Sequence, residues 1–168
     1  MTPNLASELG LPPVDQVAWV VHDLERTLET FGALFGEFQT MEHSIEGANY
    51  RGRKADVTLK MGFGRSGPLE IELIQVVSGE SPHSEMLEKH GEGIHHVRFK
   101  LDDIDPPLAK LRELGFELIW SHAIPQVGAR WAYLEGPKEP GGALVEPDGR
   151  PRPCRVSGRG ATHTSSGS

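Results

Sequence analysis

The sequence predicts an α+β fold in which two βαβββ modules pair to form a curled, barrel-like sheet around a metal-binding cleft. Three observations predict it. First, the chain repeats itself at an offset of 80 residues, so that Gln16 falls on His96, Trp19 on Phe99 and Asp23 on Asp103. Second, the repeat continues into a helical stripe, with Leu24, Leu28, Phe31 and Leu34 falling on Ile104, Leu108, Leu111 and Leu114. Third, Leu69-Glu70-Ile71-Glu72 is echoed by Ala143-Leu144-Val145-Glu146, so the closing strands of the two halves share a segment that ends on glutamate.

Residues 1–13 read as an N-terminal arm, 14–80 as the first module, 81–92 as a connector, 93–148 as the second module and 149–168 as a disordered tail. Val14 to Val21 alternates as a strand, with Gln16, Ala18 and Val20 on one face and Val17, Trp19 and Val21 on the other. Asp23 is placed to cap a helix carrying the stripe from Leu24 to Leu34, and Gly36 ends it. Strands are expected over Phe38–Ile45, Ala55–Met61 and Leu69–Val76, separated by a polar loop over 46–54 and a turn over 62–68. In the last strand Glu70, Glu72 and Ile74 share one face. Ser81-Pro82 starts a short helix that stops near His90-Gly91. The second half repeats the order: a strand from Ile94 to Leu101, then a helix from Asp105 to Leu114 with Pro106 and Pro107 in its first turn. Strands over 116–121 and 129–134 follow, then a turn over 136–142 and a short strand over 143–146.

The 168 residues carry a formal charge of −7. The last 20 residues hold four arginines and no acid; the rest of the chain has 13 basic against 24 acidic residues, about −11. That balance excludes the basic face of a nucleic-acid partner. No apolar run is long enough to span a membrane, and Met1 to Pro13 lacks the pattern of a secretory signal. The single cysteine, Cys154, excludes both a disulfide framework and a thiolate metal site. A cytoplasmic protein is expected, with a small-molecule substrate, no nucleic acid and no membrane as partners; a homodimer is compatible with this reading.

Collected from the two halves, Gln16, Glu72, His96 and Glu146 offer one residue from each first strand and one from each last strand. Three oxygens, one imidazole nitrogen and two carboxylate charges suit a divalent metal ion: Zn, Ni, Co or Mn. Arg98 and Lys100 share the face of His96 and could anchor an anionic group of a substrate. His95 is expected to face the helix layer as a core residue, and Glu70 to be a solvated strand end. His22, His43, His83, His90, His122 and His163 have no repeat partner and read as structural or exposed.

The segments Val14-Asp15-Gln16-Val17-Ala18, Gly93-Ile94-His95-His96 and Gly141-Gly142-Ala143-Leu144-Val145-Glu146 resemble the vicinal oxygen chelate superfamily, and within it methylmalonyl-CoA epimerases. The resemblance covers about 14–147. It implies that the second histidine of the pair, His96, is a ligand. Epimerases usually carry histidine where this chain has Gln16; glutamine, glutamate, histidine and glutamate in order resemble the ligand set of eukaryotic glyoxalase I instead. The third strand offers only Asp56 and Thr58 where epimerases carry a catalytic glutamate. The function implied is a metal-dependent isomerase, epimerase or lyase that moves a proton next to a carbonyl through a metal-stabilised enediolate or enolate, on an acyl-CoA or similar small carbonyl substrate. Glu146 is the first candidate base and Glu72 the second. The alternatives are an iron-dependent extradiol-type dioxygenase, whose usual two histidines and one carboxylate are not all found in this set, and a metal-free drug-binding protein.

Overall fold

In the computed structural model, residues 5–137 and 144–149 are described. The order is α1 (Leu5–Glu8), β1 (Gln16–Val21), α2 (Leu24–Phe35), β2 (Gln39–Tyr50), β3 (Arg53–Ser66), β4 (Leu69–Gly79), α3 (Pro82–Lys89), β5 (Gly93–Leu101), α4 (Asp105–Glu113), β6 (Glu117–Ile124), β7 (Ala129–Glu135) and β8 (Leu144–Gly149), with one turn of 3-10 helix, Pro125–Val127, before β7. The strands close into a barrel in the order β1-β4-β3-β2-β6-β7-β8-β5. This is the α+β, curled-sheet architecture predicted above. Among the described residues no helix is long and apolar enough to cross a membrane.

β1 lies at the junction of the two repeats. It pairs in parallel with β4, setting Gln16 opposite Glu70 and Ala18 opposite Glu72. On its other edge it pairs antiparallel with β5, setting Gln16 opposite Arg98 and Ala18 opposite His96. Its alternation sorts Gln16, Ala18 and Val20 to the interior, all nearly inaccessible, while Trp19 packs outward beneath α2 with Ile71 and Leu73. The barrel interior is filled by residues such as Val20, Leu59, Ile74 and Trp120. Each such side chain contributes about 1.5–3 kcal/mol on burial.

Asp23 caps α2 through the Arg26 amide, at 3.1 Å. Leu24 is fully buried, but Leu34 is 69% exposed and its repeat partner Leu114 is 42% exposed, against the expectation that both close the apolar stripe. At roughly 100° per residue, the fourth position of this spacing sits about 80° round the helix from the first. The geometry therefore turns it off the sheet in both halves.

Three other expectations are corrected. The polar loop over 46–54 is a hairpin: β2 continues to Tyr50 and turns at Arg51-Gly52, both at positive φ. A bulge between Ile45 and Ala48, with Gly47 also at positive φ, absorbs the break in alternation that had read as loop. The turn expected over 62–68 is mostly strand, because β3 runs to Ser66. Gly62 and Gly64 lie under Phe38, and a Cβ on Gly64 would stand 2.5 Å from the ring. These glycines permit close approach and do not end a strand. The N-terminal arm contains one helical turn, and Leu9 packs beside Leu111 and Leu134. The tail over 150–168 and most of the expected turn over 136–142 lie outside the described residues.

The two halves are tied by Arg51, which donates to Glu85 in the middle of α3 and to Glu135 at the end of β7. Burial opposes ionisation of Glu85, but hydrogen bonds from Lys89, Tyr50 and Arg51 outweigh it and hold the carboxyl down to about 2.

Candidate functional site

Gln16, Glu72 and His96 are buried together inside the barrel. Their positions follow from register: Ala18 stands between Glu72 of β4 and His96 of β5, and Gln16 is two residues along on the same face. His96 Nε2 lies 3.3 Å from Gln16 Oε1 and 3.6 Å from Glu72 Oε2. Donors bound to one divalent cation at about 2.1 Å are themselves separated by about 3.0–3.4 Å. The three groups therefore already stand near ligand spacing.

Glu70, expected to be a solvated strand end, is drawn into this network. Gln16 Nε2 donates to Glu70 Oε1 at 2.8 Å, which directs the amide oxygen of Gln16 toward His96. Arg98 binds the same carboxylate at 3.1 Å and Asp15 at 2.7 Å. Glu146 of β8 stands opposite Arg98 in register; its side chain lies outside the described residues. Lys100 is exposed and is not among the residues lining the cavity beside His96.

Two histidines join His96 that sequence reading had left out of the site. A bulge interrupts the pairing of β1 with β5, so that Ala18 pairs with His96 but Trp19 with Ile94. His95 is the extra residue; it is a buried core residue, as expected, and its ring meets both His83 of α3 and His96. His83 enters from the first turn of α3. Ser81 caps that helix by accepting from the Ser84 amide, while Ser84 Oγ accepts in return from the Ser81 amide. This capping box turns Pro82 and His83 inward, and His83 is 1% exposed. His83 and His95 stack at 4.3 Å. His83 Nε2 meets the Tyr133 hydroxyl at 3.3 Å, and His95 Nδ1 meets His96 Nδ1 at 2.9 Å. His83, His95 and His96 form a buried group that could hold a metal ion. The sequence signal for this arrangement is the polar doublet His95-His96, which breaks strand alternation and so marks a bulge.

Burial, followed by the charge of His96, pushes His83 down to about 3. Burial also holds His95 well below the usual histidine range, followed by the charges of His83 and His96; the Pro82 backbone opposes the fall slightly. Both rings are neutral at pH 7.

Beside this group lies a cavity of about 190 Å³, walled by Gln16, Glu72, His83 and Arg98 with apolar residues such as Met41 and Trp120. A larger hollow of about 670 Å³ lies on the other side of Trp131, against α4, and none of Gln16, Glu72 and His96 lines it.

Residues 15–134 match the family described as the glyoxalase/bleomycin resistance protein/dioxygenase superfamily. The chain belongs to this superfamily. A curated relative, protein YqjC of Bacillus subtilis (strain 168), is 31% identical over 90 residues, covering 52% of this chain and 63% of that protein; the match thus spans less than two thirds of the relative's length. Among solved structures, methylmalonyl-CoA epimerase from Mycobacterium tuberculosis superposes with a TM-score of 0.59 at 21% identity, covering 85% of this chain and 90% of that one. A variant of the Streptomyces coelicolor methylmalonyl-CoA epimerase, in complex with 2-nitronate-propionyl-CoA, superposes with a TM-score of 0.58 at 26% identity, covering 83% and 95%. The superfamily that those three segments resemble is thereby established, and these epimerases share its fold.

Proposed function

We propose that this protein is a metal-dependent enzyme of the epimerase or isomerase type, moving a proton next to a carbonyl of an acyl thioester or similar small substrate. The observation that carries the reading is the convergence of Gln16 Oε1 and Glu72 Oε2, which line the cavity, on the buried His96 Nε2 at 3.3 and 3.6 Å. A divalent cation would be held by Gln16, Glu72 and His96, with Glu146 as the fourth ligand. It would supply Lewis-acid stabilisation of negative charge developing on substrate oxygen. The likeness to an epimerase in complex with an acyl-CoA analogue supports a thioester substrate.

The chain's own residues do the rest. Glu70 fixes the amide of Gln16 so that oxygen, and not nitrogen, faces His96. Arg98 pairs with Glu70 and stands at the cavity wall, where a substrate anion could compete for it. Met61, Phe63 and Ile74 make the cavity wall largely apolar around the substrate. Glu146 is the proposed base, with Glu72 the second candidate: in an isomerisation one carboxylate takes the proton from the carbon next to the carbonyl and gives it back, and in an epimerisation one carboxylate takes the proton while the other, as its acid, delivers one to the opposite face.

Solvent-deuterium exchange into an acyl-CoA or hemithioacetal substrate tests this. Glu146→Gln should slow exchange by about a hundredfold or more, because an amide can ligate but cannot accept the proton. If Glu72→Gln slows exchange and Glu146→Gln does not, the two roles are reversed. If no such substrate exchanges with the wild type, the proton-transfer reading is lost. A second reading, oxygen-dependent ring cleavage, is favoured by one observation: His83 and His95 bring two further imidazoles to His96 and Glu72. Oxygen uptake with a catechol substrate would promote it.

A further inference from the structure

His95 Nε2 is buried and makes no hydrogen bond of ordinary geometry. An unpaired polar atom in an interior is a cost that persists where the same side chain is needed for something else. The other ring nitrogen points to that need. His95 Nδ1 and His96 Nδ1 are 2.9 Å apart. Between two neutral imidazoles at this distance, one nitrogen carries the proton and the other the lone pair. The tautomers of the two rings are therefore opposite: if His96 is protonated on Nδ1, His95 accepts there and carries its own proton on Nε2. Gln16 Oε1 can only accept, so without a cation the 3.3 Å contact takes its proton from His96 Nε2; a ligating His96 must instead present a lone pair there, to a cation set between it, Gln16 Oε1 and Glu72 Oε2. That requires the proton on Nδ1 and an acceptor facing it. The ring of His95 is held for this by its stack on His83, which is itself held by Ser81 Oγ and the Tyr133 hydroxyl.

We propose that His95 is a positioning residue that sets the tautomer of His96 when a cation is bound: by accepting the Nδ1 proton of His96 at its own Nδ1, it leaves the Nε2 lone pair to the cation beside Gln16 and Glu72. The inference rests on the reading of His96 as a cation ligand and assigns a role to a side chain outside the ligand set.

The test uses the full-length protein with zinc as the probe, imidazole ¹⁵N spectra to locate the ring protons, and calorimetry to measure affinity. In the zinc-loaded wild type, His96 should carry its proton on Nδ1 and His95 on Nε2. His95→Phe keeps a flat ring in the stack but offers no acceptor, and zinc affinity should fall about 10–100-fold. His95→Asn, whose amide oxygen can take the place of Nδ1, should recover most of that loss. A purely structural role for His95 would not move the position of the His96 proton. If His95→Phe does not fold, the wild-type spectra alone decide, and a His95 ring protonated on Nδ1 in the zinc-loaded protein overturns the proposal. So does zinc bound directly to His95, or wild-type affinity in His95→Phe. If His96→Ala binds zinc as tightly as the wild type, the ligand reading fails together with it; if His96→Ala loses zinc while His95→Phe does not, only the positioning role fails.

Discussion

Gln16 shows how a polar residue on a strand is committed by its neighbours. Its amide nitrogen is taken by Glu70 at 2.8 Å, and its oxygen is left for His96. Removing Glu70 while keeping Gln16, Glu72 and His96 should therefore weaken cation binding. Glu70→Ala is expected to lose about tenfold or more in zinc affinity by calorimetry, the size of an outer-partner effect; unchanged affinity would show that Gln16 is oriented by something else. His83 carries a different prediction. Its pKa is about 3 in the folded protein and near 6.5 when the chain is unfolded. The neutral ring thus favours the fold fully above pH 6.5, and that contribution is lost as pH falls from 6.5 toward 3. Urea midpoints measured across this range should drop for the wild type and drop less for His83→Phe. At this scale the repeat made Gln16, Glu72 and His96 legible as a group. His83, His95 and Glu70 were not legible, since none stands out by repeat position and each owes its place to a bulge, a helix cap or a cross-strand partner.

At the scale of the elements, local deviations from regularity position the site. Strict alternation from Ile94 would have sent His95 outward; one extra residue in β5 keeps both histidines inside. The helices were readable from Asp23, Ser81 and the paired apolar stripes, because caps and periodicity are local signals. The long β2–β3 hairpin was not, because glycine serves both turns and close packing. Gly64 belongs to the second kind, with its backbone directly beneath the Phe38 ring. Gly64→Ala should destabilise the protein by about 1–3 kcal/mol through overpacking. Combined with Phe38→Leu, its cost should be smaller than in the wild type, so that the two changes are non-additive in a double-mutant cycle. Strict additivity would place the strain elsewhere.

The whole barrel is continuous but unevenly joined. β2 and β3 pair along most of their lengths, whereas β2 meets β6 at Asn49–Ser121 and Tyr50–Trp120 alone among the described pairs. Hydrogen exchange should follow this difference. Amides in β3 and β4 should exchange slowest, and those over 39–44 that face away from β3 fastest; uniform protection across β2 would contradict the weak seam. The α+β class and the two-part architecture were legible because duplication repeats whole elements. The pairing of β1 with β5 and the closure between β2 and β6 were not, since both depend on how the copies dock.

The cavity beside His96 has a consequence for molecular size. Its 190 Å³ is room for a small group only. A short acyl chain of a few carbons can be enclosed there, while a nucleotide-bearing carrier cannot. Met41, which walls the cavity, is 48% exposed, so the enclosure reaches the outside on that flank. A large thioester would thus be handled by one end, its small head admitted and its bulk left in solvent, and selection among such compounds would fall on the length and branching of the head.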